Sequence, residues 1–439
     1  MTRVTVVGGG LAGSEAALQL ARRGVACRLV EMRPGVPTPA HRSGRLAEIV
    51  CSNSLKSTAA ATPGRLLKDE LDLLGCRLLA CARRAAVPAG AALAVDRDEF
   101  SAQVEEAVAA EPLITVERGE VTALPAEPDH LWLLATGPLT GSSLVDALAA
   151  ATGAPALHFF DAIAPTVTRE SLDLDVLYRA ARYDKGEADY LNAALDPAQY
   201  AAFRAALAAA ERAEVQAFDK SDLFAGCQPI EEIAAGGPQS LAFGPLRPVG
   251  LEDPRTGRRA HAVVQLRQEN RAGTLYGLVG FQTRLKQGAQ REVFRMIPGL
   301  ENAEFVRYGQ LHRNFYLDAP RCLGRDFALA ARPDVFVAGQ MTGVEGYVES
   351  IASGLVTAWH VAYRVQGRTL PPLPPATMLG ALLGGFLFDT TAARFCPMNA
   401  NFGLLPELAD PVRAKRDRKL AKAERALAEL RAWVAVAAA

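Results

Sequence analysis

Three glycines and a glutamate near the start of the chain have the spacing of a nucleotide-binding turn. Gly8, Gly10 and Gly13 follow the apolar run of residues 4–7 in the pattern G-x-G-x-x-G. The first glycine permits a tight bend, the second lets the backbone approach a pyrophosphate, and the third lets a helix pack on the sheet. Glu31 ends the next apolar run, where a carboxylate accepts hydrogen bonds from a ribose and repels a 2′-phosphate. The spacing predicts a bound nucleotide and leaves FAD, NAD and S-adenosylmethionine open.

A strand, a helix and a second strand must position these residues. The apolar pattern predicts strands over residues 4–7 and 26–30, with a helix over residues 11–23 between them. This helix would direct its free N–H groups and the positive end of its dipole at the anion. The residues that we predict to bind the nucleotide in this unit are Gly8, Gly9, Gly10, Leu11, Ala12, Gly13, Glu31, Met32 and Arg33.

Two later stretches have the form of further cofactor-binding elements. One apolar run, residues 131–135, leads into Thr136 and Gly137, and another, residues 335–338, leads into Gly339 and Gln340. A strand that ends in Ala-Thr-Gly recurs in flavoproteins with two dinucleotide sites, so it favours FAD over NAD. The helix predicted over residues 347–364 would stabilise negative charge on a reduced flavin through its N-terminus. We therefore predict that FAD also contacts Thr136, Gly137, Gly339, Gln340, Met341, Gly346 and Tyr347.

The neighbours of Cys51 suggest chemistry for its thiol. Helix-capping residues and Lys56 follow this cysteine, and such a setting can lower a thiol pKa from its usual value of about 8.5. The alternative is a buried cysteine at the start of a helix. The chain has seven cysteines, an odd number, and no signal peptide, so we expect reduced thiols and a cytoplasmic protein. No His/Cys cluster has zinc-ligand spacing, so no metal site is predicted.

A length of 439 residues suits two or three domains better than one core. We predict an α/β fold in which a doubly wound, Rossmann-like FAD-binding domain, residues 1–149 and 326–439, is interrupted by a mixed α/β domain, residues 150–325. Helices are predicted over residues 66–79, 97–110, 172–182 and 196–218, and strands over residues 114–117, 121–124, 262–266 and 275–279. The longest apolar run, residues 378–388, is shorter than the roughly 20 residues that cross a bilayer, and it predicts a buried helix.

Charge is unevenly distributed along a chain whose formal net charge is zero. Residues 161–232 contain 14 acidic and 7 basic side chains, a net of −7, whereas residues 247–325 contain 14 basic and 7 acidic, a net of +7. Residues 413–431 add 8 basic side chains against 3 acidic ones. A positive face is the pattern expected of a protein that binds a polyanion such as RNA. A solvated helix explains the terminal stretch equally well.

Taken together, several motifs make the chain similar, over almost its whole length, to the TrmFO family of folate- and FAD-dependent tRNA (uracil-5-)-methyltransferases. The related GidA/MnmG tRNA-modifying flavoproteins share the glycine motif and the Gly-Gln element but are considerably longer. The motifs that carry the resemblance are VGGGLAGSEAA, CSNSLKS, LAFGPLRPVGL, TGRRAHAVVQLRQEN, LYGLVGFQT, RMIPGLENAEFVRYG, HRNFYLDAP and VAGQMTGVEGYVESIASG.

The resemblance implies a reaction, its cofactors and its partner. 5,10-Methylenetetrahydrofolate would supply the one-carbon unit, NADH or NADPH would reduce the FAD, and the product would be 5-methyluridine in the T-loop of tRNA. C5 of uracil becomes nucleophilic only after a thiolate adds to C6, and a base must later remove the C5 proton. The resemblance puts Cys227 in the position of that nucleophile and Cys51 near the flavin as the second functional cysteine.

Three further residues have possible roles in binding folate. His312 is either an ordinary packed residue or the group that stacks on the pterin. Arg284 and Lys286 are candidates to receive the glutamate tail.

Two other functions remain open. The chain could be an ordinary flavin oxidoreductase that uses NAD(P)H and a small substrate, or an RNA-binding flavoprotein without catalysis. The oxidoreductase hypothesis is weakened because the chain has no C-x-x-C motif, and it leaves the basic segments unexplained. Methyl transfer from labelled methylenetetrahydrofolate to tRNA would separate all three, and activity with S-adenosylmethionine would contradict the resemblance.

Overall fold

The structure is a computed structural model that describes residues 2–184, 187–214, 228–391 and 395–438. Its α-helices are α1 (Leu11–Arg22), α2 (Pro63–Leu73), α3 (Arg77–Arg84), α4 (Arg97–Ala109), α5 (Ser142–Thr152), α6 (Pro197–Ala209), α7 (Ile230–Ala235), α8 (Ser240–Phe243), α9 (Gln287–Phe294), α10 (Ala319–Cys322), α11 (Tyr347–Val365) and α12 (Lys415–Ala438). Its strands are β1 (Arg3–Val7), β2 (Cys27–Glu31), β3 (Ser54–Ser57), β4 (Ala86–Val87), β5 (Ala92–Val95), β6 (Ile114–Arg118), β7 (His130–Leu134), β8 (Leu157–Ala162), β9 (Thr166–Thr168), β10 (Tyr178–Ala180), β11 (Tyr190–Leu195), β12 (Ala262–Gln268), β13 (Leu275–Leu278), β14 (Phe305–Arg307), β15 (Leu311–Tyr316), β16 (Ala328–Leu329) and β17 (Arg332–Val337).

A six-stranded sheet carries the glycine elements. Its order is β16-β17-β7-β1-β2-β6, and β1, β2, β6, β7 and β17 run parallel, with β16 antiparallel at one edge. β1 is apolar because it lies in the middle of the sheet, with Val4, Val6 and Val7 all buried. The carboxyl ends of β1, β7 and β17 therefore meet at one edge, where a ligand binds in folds of this type. The Rossmann-like α/β fold predicted from the sequence is confirmed.

The two long helices that begin at this edge pack directly on each other. A side chain on Gly354 of α11 would place its Cβ only 2.2 Å from the Ala12 carbonyl oxygen of α1. This close approach requires glycine and fixes α11 against α1. As a result, the N-termini of both helices lie near the same ligand-binding edge.

A second six-stranded sheet is antiparallel throughout, in the order β10-β11-β12-β13-β9-β14. It has a separate hydrophobic core, to which α6, α7 and α9 contribute Phe203, Ile230 and Phe294. The strands predicted over residues 262–266 and 275–279 are confirmed as β12 and β13. The sheet interrupts the first one between β7 and β17, as expected of an insertion. The boundaries 1–149, 150–325 and 326–439 remain a prediction.

Two strands connect the sheets. β8 leads from the first sheet into the second, β15 leads back, and the two pair antiparallel with His312 opposite Asp161. The returning strand is tied to the first sheet because Phe315 N donates to Pro138 O at 2.9 Å and Leu317 N donates to Met341 O at 2.8 Å. The connection therefore carries a histidine and an aspartate past the predicted Gly-Gln element.

The helix predicted over residues 172–182 is wrong. This segment contains strand β10, in which Tyr178 is buried and Arg179 is exposed, the alternation that a strand produces. β10 pairs with β11, and the Tyr178 hydroxyl donates to Leu251 O at 2.9 Å. Pairing and burial outweigh the weak local preference for a helix.

Three other predicted elements differ in extent or type. The helix predicted over residues 66–79 is split into α2 and α3 at Gly75, whose φ is +73°. The helix predicted over residues 196–218 ends at Ala209, and residues 215–218 lie outside the described part of the chain. Residues 121–124 form no strand, because β6 pairs with β2 instead of with a hairpin partner.

Residues 378–388 are buried as predicted but form no ordinary α-helix. The segment contains a π-helical turn, Gly380–Gly385, followed by a 3₁₀ turn, Phe386–Phe388. Glu70 caps its start by accepting hydrogen bonds from Met378 N at 2.7 Å and Leu379 N at 2.8 Å. Among the described segments, no helix has both the length and the apolar character that a membrane crossing requires.

Candidate active site

A cleft of about 560 Å³ lies at the carboxyl edge of β1 and β2. We call it the nucleotide cleft. Its walls include Gly8, Gly10, Glu31, Met32, Arg33 and Thr136, all of which the sequence predicted to contact the cofactor. The structure thus brings the first and second glycine elements together.

The three glycines of the first turn are required for different reasons. Gly8 has a φ of +99°, and a Cβ there would lie 2.6 Å from Ala135 O. A Cβ on Gly13 would lie 1.8 Å from Gly8 O, so this glycine permits the turn and helix to meet. A Cβ on Gly10 would meet no protein atom within 4 Å. Gly10 therefore leaves open space that no described part of the protein fills, and it lines the cleft.

The N-terminus of α1 is available to an anion. Its N-cap is Gly10, no side chain caps it, and its first turn contains no acidic residue. The positive end of the helix dipole and the free N–H groups therefore act at the cleft wall. Together with the space at Gly10, these features fit the pyrophosphate of FAD.

Glu31 is held in the cleft wall as a carboxylate. Its Oε2 accepts a hydrogen bond from Gly9 N at 2.7 Å, and its Oε1 accepts one from Arg33 Nε at 2.8 Å. Burial alone would raise its pKa, but the hydrogen bonds and charge of Arg33, with the Gly9 N–H, outweigh burial and lower it. Arg33, which the sequence predicted as a cofactor ligand, also pairs with Glu48 at 3.2 Å and so orients Glu31.

A second cavity, of about 790 Å³, adjoins the nucleotide cleft, and Leu139 lines both. We call it the cysteine cavity. Predicted residues from three separate stretches line it, namely Cys51, His312, Gln340, Gly346 and Tyr347. Lys56, which the sequence placed beside Cys51, lines it as well, together with three residues to which the sequence gave no role, namely Asp161, Asn314 and Glu345.

Met341, Gly339 and Gly137, also predicted to contact the cofactor, line neither cavity. Met341 is buried, and its sulfur accepts a hydrogen bond from Thr136 Oγ1 at 3.0 Å. Gly339 has a φ of +75°, and a Cβ there would lie 2.8 Å from Ala12 Cβ. Gly137 also has a positive φ, +71°. The second and third glycine elements are therefore packed on the first.

Cys51 does not lie in the setting that its sequence suggested. It precedes strand β3 and not a helix, so the predicted helix start at this cysteine is absent. Burial, followed by the negative charge of Asp161, raises the pKa of the Cys51 thiol well above its usual value. Its N–H donates to the Tyr347 hydroxyl at 2.7 Å, and its sulfur lies 3.8 Å from Ala162 O. In the protein alone, Cys51 is a thiol and not a thiolate.

Side chains from distant parts of the chain hold the backbone around Cys51. Arg97 donates to Cys51 O at 2.6 Å and forms an ion pair with the buried Glu269. Arg307 donates to Val50 O at 2.7 Å. The position of the thiol is therefore set by residues of α4, β14 and the turn after β12.

Asn53 anchors the same loop to strands β5 and β12. This fully buried side chain donates to Val95 O and Gln268 O, each at 3.0 Å, and accepts a hydrogen bond from Arg267 Nε at 2.8 Å. Arg267 also donates to Ser52 Oγ at 2.7 Å. The CSNS motif thus serves as a structural joint, a role that its polar composition alone could not reveal.

Carboxyl groups surround the part of the cysteine cavity that follows β17. Glu345 accepts a short hydrogen bond from Gln340 Nε2. Burial and the nearby charge of Asp161 raise the pKa of Glu345 well above its usual value. Glu349, in the first turn of α11, is neutralised by an ion pair with Lys56. The N-terminus of α11 therefore faces the cavity beside a paired carboxylate.

His312 has an unsatisfied ring nitrogen. Its Nε2 is buried and has no hydrogen-bond partner in the described structure. Burial and the charge of Arg307 lower the pKa of His312, so the ring is neutral. A neutral ring in the wall of the cysteine cavity can stack on a flat ligand and offer it one polar atom.

Three predicted site residues are not brought to this cavity by the described structure. Arg284 donates to Glu232 at 2.6 Å, Lys286 forms an exposed ion pair with Glu211, and neither lines the cysteine cavity. Their role with the folate tail remains a prediction. Cys227 lies outside the described residues. No group of three or more His, Cys, Asp or Glu side chains suited to a metal occurs in the described ranges.

The terminal basic stretch forms α12, whose charges are divided between packing and solvent. Trp433 stacks on Trp359 of α11 with ring centroids 5.6 Å apart. The buried Lys422 donates to Leu405 O at 3.1 Å, and Arg425 donates to Pro406 O at 2.7 Å. The exposed basic side chains near its start are Arg413, Lys415 and Arg416. A phosphate-binding role for this face remains a prediction.

Known proteins resemble this chain at the level of family, sequence and fold. The model of the family described as "Glucose inhibited division protein A" matches residues 3–369. The chain is 53% identical over 432 residues to the methylenetetrahydrofolate–tRNA-(uracil-5-)-methyltransferase TrmFO of Desulforudis audaxviator, covering 98% of each chain. It is 50% identical over 427 residues to the Lactiplantibacillus plantarum protein of the same name, covering 97% of this chain and 96% of the relative.

Solved structures support the fold. Aquifex aeolicus GidA superposes with a TM-score of 0.70 at 15% identity, covering 98% of this chain and 73% of that one. An identity this low shows a shared fold alone. The uncovered part of the GidA chain agrees with the greater length expected of that group.

Proposed function

We propose roles for the residues of the two cavities from the premise that the chain belongs to the TrmFO family of methylenetetrahydrofolate–tRNA-(uracil-5-)-methyltransferases, within the wider GidA family. The enzyme transfers a one-carbon unit from 5,10-methylenetetrahydrofolate to C5 of a tRNA uridine and gives 5-methyluridine. FAD, reduced by NADH or NADPH, supplies the reducing equivalents when bound. We propose the T-loop uridine as the target and the cytoplasm, where tRNA is found, as the location.

The nucleotide cleft would hold FAD. Gly10 and the N-terminus of α1 would contact the pyrophosphate, and Glu31 would bind a ribose hydroxyl beside its bonds to Gly9 and Arg33. Gln340 and Tyr347 line the adjoining cavity, which would receive the flavin ring of FAD. The observation that carries the proposal is this direct junction between a dinucleotide cleft and a cavity lined by Cys51 and His312.

The two cysteines would divide the chemistry. Cys227 would add to C6 of uracil, as the family resemblance implies. The described chain resumes at Gln228, and Ile230 N donates to Gln282 O at 2.7 Å, in the wall of a cavity that Cys51 also lines. Cys51, a thiol with a raised pKa, would position groups on the flavin side and exchange a proton only when a base is adjacent.

Glu345 and Asp161 would accept and transfer the proton that leaves C5. The two carboxyls line the same cavity, and burial together with the charge of Asp161 raises the pKa of Glu345. Two carboxyls that influence each other in this way can share one proton and exchange it during turnover. His312 would pack on the pterin of folate, where its unpartnered Nε2 could bind a polar atom of that ring.

Transfer of label from ¹⁴C-methylenetetrahydrofolate to a T-loop transcript, with NADPH present, tests this function directly. We expect 5-methyluridine at one position and no product with S-adenosylmethionine. A Cys227→Ala variant should form no stable adduct with 5-fluorouridine tRNA, whereas Cys51→Ala should lose methylation and can still form the adduct. Both should retain FAD. Product formation by Cys227→Ala would show that the nucleophile is a different residue.

A flavin oxidoreductase acting on a small substrate is not favoured. It would explain the nucleotide cleft, but close relatives over the whole chain are tRNA methyltransferases. Oxidation of NADPH that is independent of tRNA and folate, without methyl transfer, would revive it.

A further inference from the structure

Lys56 has a backbone conformation that is rare for a residue with a side chain. Its φ is +63°, in the left-handed region that favours glycine. It lies in β3, where the pairing with β5 is irregular between Ser54 and Ser57. Irregular pairing of this kind changes the direction of a side chain and is frequent next to active sites. Lys56 lines the cysteine cavity, and none of the roles proposed above involves it.

The surroundings of Lys56 hold it in this conformation. The buried Lys68 of α2 donates to three successive carbonyl oxygens, which satisfy the three donors of its ammonium. The acceptors belong to Leu55 at 2.7 Å, Lys56 at 3.3 Å and Ser57 at 2.9 Å. A Cβ on Gly64, in the first turn of α2, would lie 2.8 Å from Lys56 Cβ. The backbone and the Cβ of Lys56 are therefore both held by α2.

The ammonium of Lys56 lies beside the start of α11. It forms an ion pair with Glu349, whose side chain is fully buried, whereas 29% of the Lys56 side chain remains exposed. A Cβ on Gly346, the N-cap of α11, would lie 3.1 Å from Lys56 Cε. The positive end of the ion pair and the positive end of the helix dipole therefore act on the same part of the cavity.

Glu349 does not cancel both of the ammonium groups near it. Burial lowers the pKa of Lys68 to about 8, and the negative charge of Glu349 acts against that shift. Glu349 Oε1 also accepts a hydrogen bond from Ala400 N at 2.8 Å. One carboxylate is thus shared by two lysines and a backbone N–H group, which leaves these three side chains with a net positive charge.

The charges of the cavity indicate what Lys56 could act on. After burial, the groups that shift the pKa of the Cys51 thiol most are Asp161 and Arg97, so Lys56 is not the main charge beside the thiol. The carboxyls of Asp161 and Glu345 line the same cavity, which makes it a poor site for a dianionic phosphate. It suits better a flat ring that is neutral when oxidised and gains one negative charge when reduced.

We propose that Lys56 stabilises the reduced flavin, and that Lys68 positions Lys56 for this role. This inference rests on the proposed function, which puts the flavin ring in the cysteine cavity. A hydride from NADH or NADPH brings two electrons and one proton to the flavin and releases NAD⁺ or NADP⁺. The reduced ring then carries one negative charge, which the Lys56 ammonium and the N-terminus of α11 both stabilise. Stabilising the reduced form raises the midpoint potential of the bound FAD.

The test is the midpoint potential of FAD in the full-length enzyme without folate or tRNA, measured by equilibration with a reference dye. Lys56→Gln removes the charge and can still donate to Glu349. We expect the equilibrium constant for two-electron reduction to fall about tenfold or more, and each tenfold lowers the potential by about 30 mV. Lys56→Arg keeps the charge and should stay near wild type. Lys415→Gln, at an exposed lysine of α12, is the matched control and should leave the potential unchanged.

Glu349→Gln should shift the potential in the opposite direction. It removes the negative charge that opposes Lys56, and its carbonyl oxygen can still accept the Ala400 N–H. We expect a higher midpoint potential, which a general loosening of the site would not produce. A lower or unchanged potential in Glu349→Gln would overturn the role of this charge pair, even if Lys56→Gln fails to retain FAD.

Lys68→Met tests the positioning role. If Lys68 acts through Lys56, this substitution should lower the potential in the wild-type background and have almost no further effect in the Lys56→Gln protein. An equal shift in both backgrounds would overturn the positioning role, because Lys68 would then act independently of Lys56. Gly64→Ala, whose methyl group would press on Lys56 Cβ, repeats the comparison if Lys68→Met does not fold.

The outcomes separate this inference from the proposed function. Absence of tRNA methylation by the wild type would refute the function, whatever the potentials. Wild-type methylation with an unchanged potential in Lys56→Gln, or with the same fall in Lys56→Gln and Lys56→Arg, would overturn the role of Lys56 and leave the function intact. Circular dichroism and FAD content establish that each variant compared is folded and loaded.

Discussion

The nucleotide cleft and the cysteine cavity adjoin at Leu139, yet they are built in different ways. The cleft is shaped by backbone. Gly8 and Gly13 have no room for a side chain, and Glu31 follows within one strand-helix-strand unit. The cysteine cavity is shaped by side chains from β3, β8, β15 and the start of α11, which come together only when both sheets are in place.

This difference determines how each site should respond to change. A backbone site tolerates almost no added atom at its glycines but depends little on the rest of the molecule. A side-chain site tolerates conservative substitutions singly but depends on contacts between the sheets, such as those of Arg97 and Asn53. The cleft should therefore survive damage to the joint, and the cysteine cavity should not.

The largest effect is expected from the glycines of the cleft. Gly13→Ala puts a methyl group 1.8 Å from Gly8 O, so the βαβ unit cannot close, and we expect little folded, FAD-bound protein. Gly10→Ala meets no protein atom, so the protein should fold with an unchanged circular dichroism spectrum and yet lose FAD on gel filtration. A Gly10→Ala protein that stays yellow would show that the open space at Gly10 is not where the cofactor lies.

Glu345→Gln should have the next largest effect, confined to the cysteine cavity. Loss of a proton-transfer group costs about 10²–10⁴-fold in rate. We expect that loss in methyl transfer, with FAD absorbance unchanged because Gln can still accept the Gln340 hydrogen bond. The pH–rate profile should lose a limb that lies well above the usual glutamate range, since the folded-state pKa is raised. A variant with wild-type rate and profile would remove Glu345 from the mechanism. Glu304→Gln, an exposed change, is the control.

The sequence predicted the cleft well because its requirements are local. The spacing of Gly8, Gly10, Gly13 and Glu31 is visible within one supersecondary unit, and each glycine has a steric reason. The same logic recovered Thr136 and Gln340, since each follows an apolar strand. The exception was the thiol of Cys51. Capping residues suggested a lowered pKa, but tertiary pairing placed them before a strand, and burial raised it.

The sequence did not reveal the site residues whose position depends on pairing between distant strands. Asp161 faces His312 only because β8 and β15 pair in one register, and nothing in either stretch reveals that register. Glu345 stood inside a recognised motif, but its protonation depends on Asp161. Arg97 of α4 and Glu269, just after β12, form one buried pair. Two charged residues far apart in the chain, each in an amphipathic segment, would have suggested ordinary surface positions.

Arg97 tests the joint between the two regions. Removing one partner of a buried pair costs about 3–5 kcal/mol, because the other charge is left uncompensated. We expect Arg97→Met to lower the free energy of unfolding by that amount in urea and to reduce methyl transfer, and the double variant with Glu269→Gln to recover much of the stability. Arg65→Ala, at a surface pair with Asp69, should cost at most about 1 kcal/mol. An Arg97→Met protein as stable as wild type would show that the joint does not hold the sheets together.

The smallest effect separates a cleft that is preformed from one that FAD creates. His41 lines the cleft, and burial, reinforced by Arg33, lowers its pKa to about 4; burial likewise lowers the pKa of His360 on α11 to about 4. Both folded-state values lie below the unfolded value of about 6.5, so the unfolded chain takes up protons first as pH falls. The free energy of unfolding of the apoprotein should therefore decrease from pH 6.5 to pH 4, by up to about 1.4 kcal/mol per pH unit for each ring.

His41→Gln and His360→Phe should each reduce the pH dependence of the free energy of unfolding by the contribution of about one proton. Urea unfolding at pH 7, 6, 5 and 4 measures this dependence. The two effects should add, because the residues lie on separate elements. His360 reports on the packed body of the fold, where no cofactor is needed, and so serves as the matched control. If His360→Phe flattens the slope in the apoprotein and His41→Gln does not, His41 is solvated until FAD binds. The cleft would then depend on FAD for its shape around His41. In that part of the cleft, the contrast between a site built by the backbone and a site assembled from side chains would not hold.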